Sequence, residues 1–258
     1  MDARATSSTV YIGIDLAWSD RNQSGVACLL GDPTGAVLAG LPVLLDDLEA
    51  MVARVERYAA TCPAIVAVDA PLVVPNLTGR RPADAALSAA FRRYEAGAHP
   101  ANRRLLARDG VVRGERLVEL LVARGFRHVE RIDAGAGGRV VTEVFPHPAM
   151  IAIFGLERTL KYKARPGRSA GLRLEAWRRY QAHLAALSDA DPPLRGHEAL
   201  VQTDVAALRG RALKAYEDQV DALMCAYIAL YAHRWGAARC RTFGNLRDGY
   251  IFTPVPQW

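Results

Sequence analysis

Three apolar, β-branched runs near the start of the chain stand too close together for a helix to pass between them. Val10–Leu16, Gly25–Leu30 and Ala36–Ala39 read as strands, and a parallel crossover needs a dozen or more residues. The second link holds Asp32-Pro33-Thr34-Gly35, where proline presets φ and glycine permits a positive one. These strands are therefore expected to form an antiparallel meander. The spacing then changes. Leu45, Leu48, Met51, Val52, Val55 and Ala59 recur at three- and four-residue steps, which predicts an amphipathic helix over Leu45–Tyr58. Pro63 breaks the chain, and Ala64–Val68 is the continuous apolar run of a buried parallel strand.

From Pro71 to about Arg131 the chain reads as helical and basic, with Arg80, Arg81, Arg92, Arg93, Arg103 and Arg104, interrupted by Gly, Pro and polar residues. Val140–Phe145 is a further strand. Pro148–Phe154, Ala170–Leu187 and Ala212–Trp235 are predicted helices, and Arg241–Phe243 and Tyr250–Thr253 are strand-like. This order predicts an α/β fold in a single domain over residues 1–258. Its sheet is RNase H-like: mixed and five-stranded, an antiparallel meander plus parallel strands, flanked by helices, with a helical basic insertion at about 71–132.

Hydrophobic residues make up 51% of the 258 and charged residues 23%, which excludes disorder, collagen and coiled coil as the main organisation. No apolar run reaches the roughly 18 residues of a membrane helix. Met1–Thr9 is polar and lacks a signal-peptide apolar stretch, so a soluble, cytoplasmic protein is expected. Cys28, Cys62, Cys225 and Cys240 are scattered and read as small core residues. The net charge of +6 favours a polyanionic partner, and all but three of the basic residues are arginine.

Acids stand where the pattern predicts burial. Asp15 lies in the first strand, Asp69 ends the fourth, Glu143 sits inside Val140–Phe145, and Asp218 and Asp221 lie on the longest helix. A buried carboxylate needs a partner, either an arginine or a cation. Mg²⁺ and Mn²⁺ accept carboxylates converging from separate elements. On the helix, Leu213, Val220, Met224, Tyr227, Ile228 and Tyr231 define one apolar face. Asp221 falls about 80° from its centre, at the margin between core and solvent, with Asp218 about 60° further round. Glu217 is a competing ligand. Ala215, Ala222, Ala226 and Ala229 line the opposite side, as close packing requires. Lys161, Lys163, Arg165 and Arg168 form a basic strip for a nucleic-acid backbone. His147 reads as structural, with a proton shuttle or metal ligand as the alternative.

Six segments together resemble the domain-of-unknown-function 429 family, described as predicted nucleases of the ribonuclease H fold. They are Gly13-Ile14-Asp15-Leu16-Ala17, Val68-Asp69-Ala70-Pro71-Leu72, Glu143-Val144-Phe145-Pro146-His147-Pro148, Tyr162-Lys163, Asp218-Gln219-Val220-Asp221-Ala222-Leu223 and Gly249-Tyr250-Ile251-Phe252-Thr253-Pro254. The helix motif is also similar to that of Holliday-junction resolvases, in which two acids three apart complete a metal site. The expectation is a Mg²⁺- or Mn²⁺-dependent nuclease acting on DNA or RNA. Asp15, Asp69, Glu143 and Asp221 would be metal ligands, Asp218 auxiliary, and Lys161, Lys163 and Arg165 the nucleic-acid contacts. The alternatives are an ATP-using enzyme of the actin and sugar-kinase class, and a non-catalytic nucleic-acid-binding module. The first lacks its phosphate turn, since Leu16-Ala17-Trp18-Ser19 follows Asp15.

Overall fold

The computed structural model describes residues 8–19, 21–60 and 62–257, so most of the polar N-terminal stretch lies outside the described residues. The expected meander is formed by β1 (Thr9–Asp15), β2 (Ser24–Asp32) and β3 (Gly35–Leu38), antiparallel throughout, with β1 and β2 in register from Thr9↔Gly31 to Asp15↔Gly25. β4 (Val43–Leu45) returns along β2, and α1 (Leu48–Ala59) follows. The Asp47 carboxylate caps α1 by accepting the Ala50 N–H at 2.9 Å. β5 (Ala64–Asp69) then runs parallel to β1.

The basic insertion holds α2 (Pro82–Ala90), α3 (Arg103–Leu106), the hairpin β6 (Ala107–Arg108) and β7 (Val111–Val112), and α4 (Arg113–Ala123). It returns to the sheet as β8 (Arg127–His128), beside β9 (Arg139–Glu143), which runs parallel to β5. After these come α5 (Pro146–Phe154), α6 (Ala170–Ala185), β10 (Leu194–Arg195), α7 (Glu198–Val201) and α8 (Gly210–Trp235). A second hairpin, β11 (Cys240–Asn245) and β12 (Gly249–Pro254), closes the fold.

The main sheet has the order β10-β3-β2-β1-β5-β9-β8, with β4 against β2. Its central five strands, β3-β2-β1-β5-β9, have the order and senses consistent with the expected RNase H-like sheet. The expected strand number is corrected from five to eight. β8 and β10 are two residues long, too short to carry a period, and exist because an open strand edge captures them. β4 takes Leu45, which the helical spacing had claimed. Its pairing with β2 outweighs that local pattern.

Side chains alternate across the sheet. Val10, Ile12, Ile14, Val66 and Val68 pack with Met51, Val52 and Val55 of α1 and Leu117 and Leu121 of α4. Tyr11, Ile65 and Ala67 pack on the other face, with α8. Asp15 and Asp69 continue that second parity, so both side chains point toward α8. The helix comes unusually close. A Cβ on Gly13 would lie 2.0 Å from the Ala222 carbonyl oxygen, and one on Gly25 would lie 2.0 Å from that of Asp218. Two strand glycines thus let α8 lie against the sheet at the turns carrying its acids. α8 is also covered on its far side, where the Trp177 ring of α6 lies tilted, 5.3 Å from that of Tyr216. Burial is therefore continuous from Val220 to His233. Asp221 is fully buried, a correction to the expected marginal position. The helix lies between two layers, so it has no solvent stripe there. No described helix is long and apolar enough to cross a membrane. Cys28, Cys225 and Cys240 are buried, as expected, and no disulfide joins the cysteines.

Candidate active site

Asp15 and Asp69 are direct register partners at the C-terminal ends of two parallel strands. Adjacent strands lie about 4.8 Å apart, and the two side chains share a face. Both keep some surface, whereas Asp218 and Asp221 keep almost none. α8 presses the latter pair onto the strand ends through the Gly13 and Gly25 contacts. The charges of Asp221, Asp69 and Asp218 all act on Asp15.

Burial, then the Asp221 charge, raises the Asp15 carboxyl well above its usual range, against the pull of Lys163. Burial pushes Asp69 up to about 7, with Lys163 opposing and Asp221 and Glu143 adding to the rise. Asp218 is raised chiefly by burial, while Lys214 pulls it back. Four acids thus meet in one place, and their mutual repulsion is part of the site.

The cation within this cluster is Lys163. Its ammonium lies 2.6 Å from Asp221 Oδ2. Although burial opposes its charge, Asp221, Asp15 and Asp69 together raise its pKa. The Tyr162 hydroxyl donates to Asp221 Oδ1 at 2.6 Å, and the Arg168 guanidinium donates to the Lys163 carbonyl at 2.7 Å, holding that backbone in place. Lys214 pairs with Asp218 at 2.6 Å and Glu217 at 3.0 Å.

Glu143 is set apart from the other expected ligands. Arg81 grips both of its oxygens, at 2.6 Å and 2.9 Å, and the Leu72 N–H donates to Oε2 at 2.8 Å. The same guanidinium donates to Asp84 at 2.9 Å. Arg81 is almost fully buried, so this arginine of the basic insertion is an internal brace. Glu143 reaches the acid cluster through its charge on Asp69.

The basic strip divides its tasks. Lys163 enters the cluster, Arg165 lies 2.7 Å from His99 at its mouth, and Lys161 pairs with Glu95 at 2.6 Å. Burial and Lys163 lower His147 to about 3, so its imidazole is neutral. Its Nδ1 lies 3.4 Å from the Thr159 hydroxyl, the structural role expected of it. Lys214 and Arg81 were not singled out from the sequence. Lys214 had a local signal, four residues before Asp218 on one helix face. Arg81 had none.

A family model described as "Protein of unknown function (DUF429)" matches residues 13–244. The chain belongs to the DUF429 family. The match spans β1 to β11 and includes every acid of the cluster. No curated protein and no solved structure matches this DUF429 chain.

Whether a divalent ion fits can be judged from the donors. All four cluster acids offer hard carboxylate oxygen, the type Mg²⁺ and Mn²⁺ take. Asp221 Oδ2 is buried and accepts no well-directed hydrogen bond, despite the ammonium beside it. Yet among the described residues no three acid, His or Cys side chains are gathered as a ready ligand cage. The chemistry of the donors fits, and the cage requires Lys163 to give up the central position.

Proposed function

We propose that this DUF429 protein is a metal-dependent nuclease that hydrolyses phosphodiester bonds in nucleic acid. The observation that carries the reading is the approach of Asp15, Asp69, Asp218 and Asp221 from β1, β5 and α8, with the half-buried Lys163 on Asp221 and Lys214 on Asp218. Asp15, Asp69 and Asp221 would hold Mg²⁺ or Mn²⁺, with Asp218 as auxiliary. Two such ions about 4 Å apart supply an activated water and charge on the leaving oxygen. The chain's residues do the rest. Tyr162 fixes Asp221 in orientation, and Arg81 holds Glu143 rigid beside Asp69. Lys163, once off Asp221, becomes a cation for the substrate phosphate, and Arg165 supplies charge at the mouth.

The test offers purified protein linear and branched DNA and RNA with Mg²⁺ or Mn²⁺. Cleavage is expected, abolished by chelation and reduced about 100-fold or more by Asp15→Asn. Absence of cleavage on every substrate, together with no divalent binding, contradicts the proposal. One observation favours a second reading. Lys163 already neutralises Asp221 without a metal, as a non-catalytic nucleic-acid-binding module would need. Affinity that survives chelation, with no turnover, selects that reading.

A further inference from the structure

Trp18 follows Asp15 by three residues and is 49% exposed, a large apolar surface beside a charged site. It stands at the junction of three hollows. One is lined by Asp69 of the acid cluster together with Arg81, Asp84, Glu143 and His99. A second, small one shares Trp18, Ala70 and Pro71 with the first. The third is a groove of about 510 Å³ that shares Trp18, Leu106 and Arg113 with the second. The indole thus borders all three hollows, between Asp69 and the groove.

The groove suits one kind of occupant. One wall carries Arg108, Arg113 and Arg116, with exposed Val111 between them. The opposite wall is the turn before α1, with Asp46, Asp47 and Glu49, of which Asp47 is committed to its helix cap, so the arginine wall is the side that phosphates would follow. The Arg113 guanidinium donates to the carbonyls of Ser19 and Asp46, which ties the residue after Trp18 to that turn. The backbone beside Trp18 is thereby tied down while the indole stays open. An open aromatic face beside arginines, bordering the same hollow as Asp69, matches a base with its phosphate. A base inside a duplex is already stacked, so it cannot take this seat.

Resting on the nuclease reading above, we infer that Trp18 is a stacking platform for an unpaired nucleobase, and that the substrate enters the site as a single strand lying along the Arg108–Arg116 groove.

The experiment measures binding in the full-length Asp15→Asn chain, so that cleavage does not consume the probe. Fluorescence anisotropy reads a labelled single-stranded oligodeoxynucleotide, its blunt duplex and the RNA strand of the same sequence, with Mg²⁺ present. Adding Trp18→Ala is expected to weaken single-strand binding about tenfold or more, and duplex binding less than about twofold. Trp18→Phe, which keeps a ring, restores most of the single-strand affinity. Thermal melting confirms that each variant is folded. Comparison of the DNA and RNA strands assigns the sugar. Unchanged single-strand affinity in Trp18→Ala overturns the inference but leaves the cleavage test of the nuclease reading untouched. An equal loss on the duplex overturns the unpaired base. No binding of any strand by the Asp15→Asn chain overturns it as well, and only absence of cleavage by the parent would add the nuclease reading to the loss.

Discussion

Two buried ionic clusters lie a few residues apart in this fold. Around Arg81, two acids share one guanidinium, and backbone N–H groups complete their bonding: Leu72 on Glu143, and Arg81 and Ala101 on Asp84. Around Lys163, the acids outnumber the cations. Lys163 and Lys214 stand against four acids, and Asp221 Oδ2 lacks a directed hydrogen bond. The first cluster is buried throughout, whereas Asp15, Asp69 and Lys163 of the second keep some surface. A buried polar network with every group satisfied holds structure together. One left short of cations and donors keeps a capacity to bind something.

The largest effect that can break this comparison is in the satisfied cluster. Arg81→Met would strand Glu143 and Asp84 as buried, unpaired carboxylates and is expected to cost about 3–5 kcal/mol of stability. Urea denaturation reads it. A loss below about 1 kcal/mol would mean that Arg81 is no brace.

The acid cluster should behave in the opposite sense. Asp15 and Asp69 have folded-state pKa values above the usual carboxylate range, so the native state holds more protons than the unfolded chain. Their contribution to stability is present at low pH and is lost as pH rises from the ordinary carboxylate range through about 7. The slope is about 1.4 kcal/mol per pH unit for each extra proton held. The raised Lys163 pKa contributes no slope there, because that ammonium titrates far higher. Thermal melts between pH 4 and 8 in chelator (pH values chosen about the ordinary carboxylate range) should show the parent losing stability and Asp69→Asn losing less. Mg²⁺ should flatten the parent curve. Parallel curves for parent and variant would show that the repulsion is absent.

Much of this arrangement was legible in the sequence. The short links of the meander, the apolar Ala64–Asp69 run and the alanine side of α8 are local patterns with one physical solution each. The acids were legible because Asp15 and Asp69 interrupt apolar strands. What was not legible depended on partners distant in sequence. Nothing near Arg81 distinguishes it from Arg80, yet the first is buried and the second exposed. Asp221 seemed marginal when only its own helix was counted; α6 covers the remaining side. Lys163 comes from a loop, where no periodicity says which way a side chain turns.

The central claim is that the acid cluster is built for a divalent cation that displaces Lys163. A crystal structure with Mn²⁺, read by anomalous scattering, tests it most directly. The account predicts a manganese peak bound by oxygens of Asp15, Asp69 and Asp221, with the Lys163 ammonium moved away from Asp221. No peak there at saturating Mn²⁺, with Lys163 still 2.6 Å from Asp221, would contradict it.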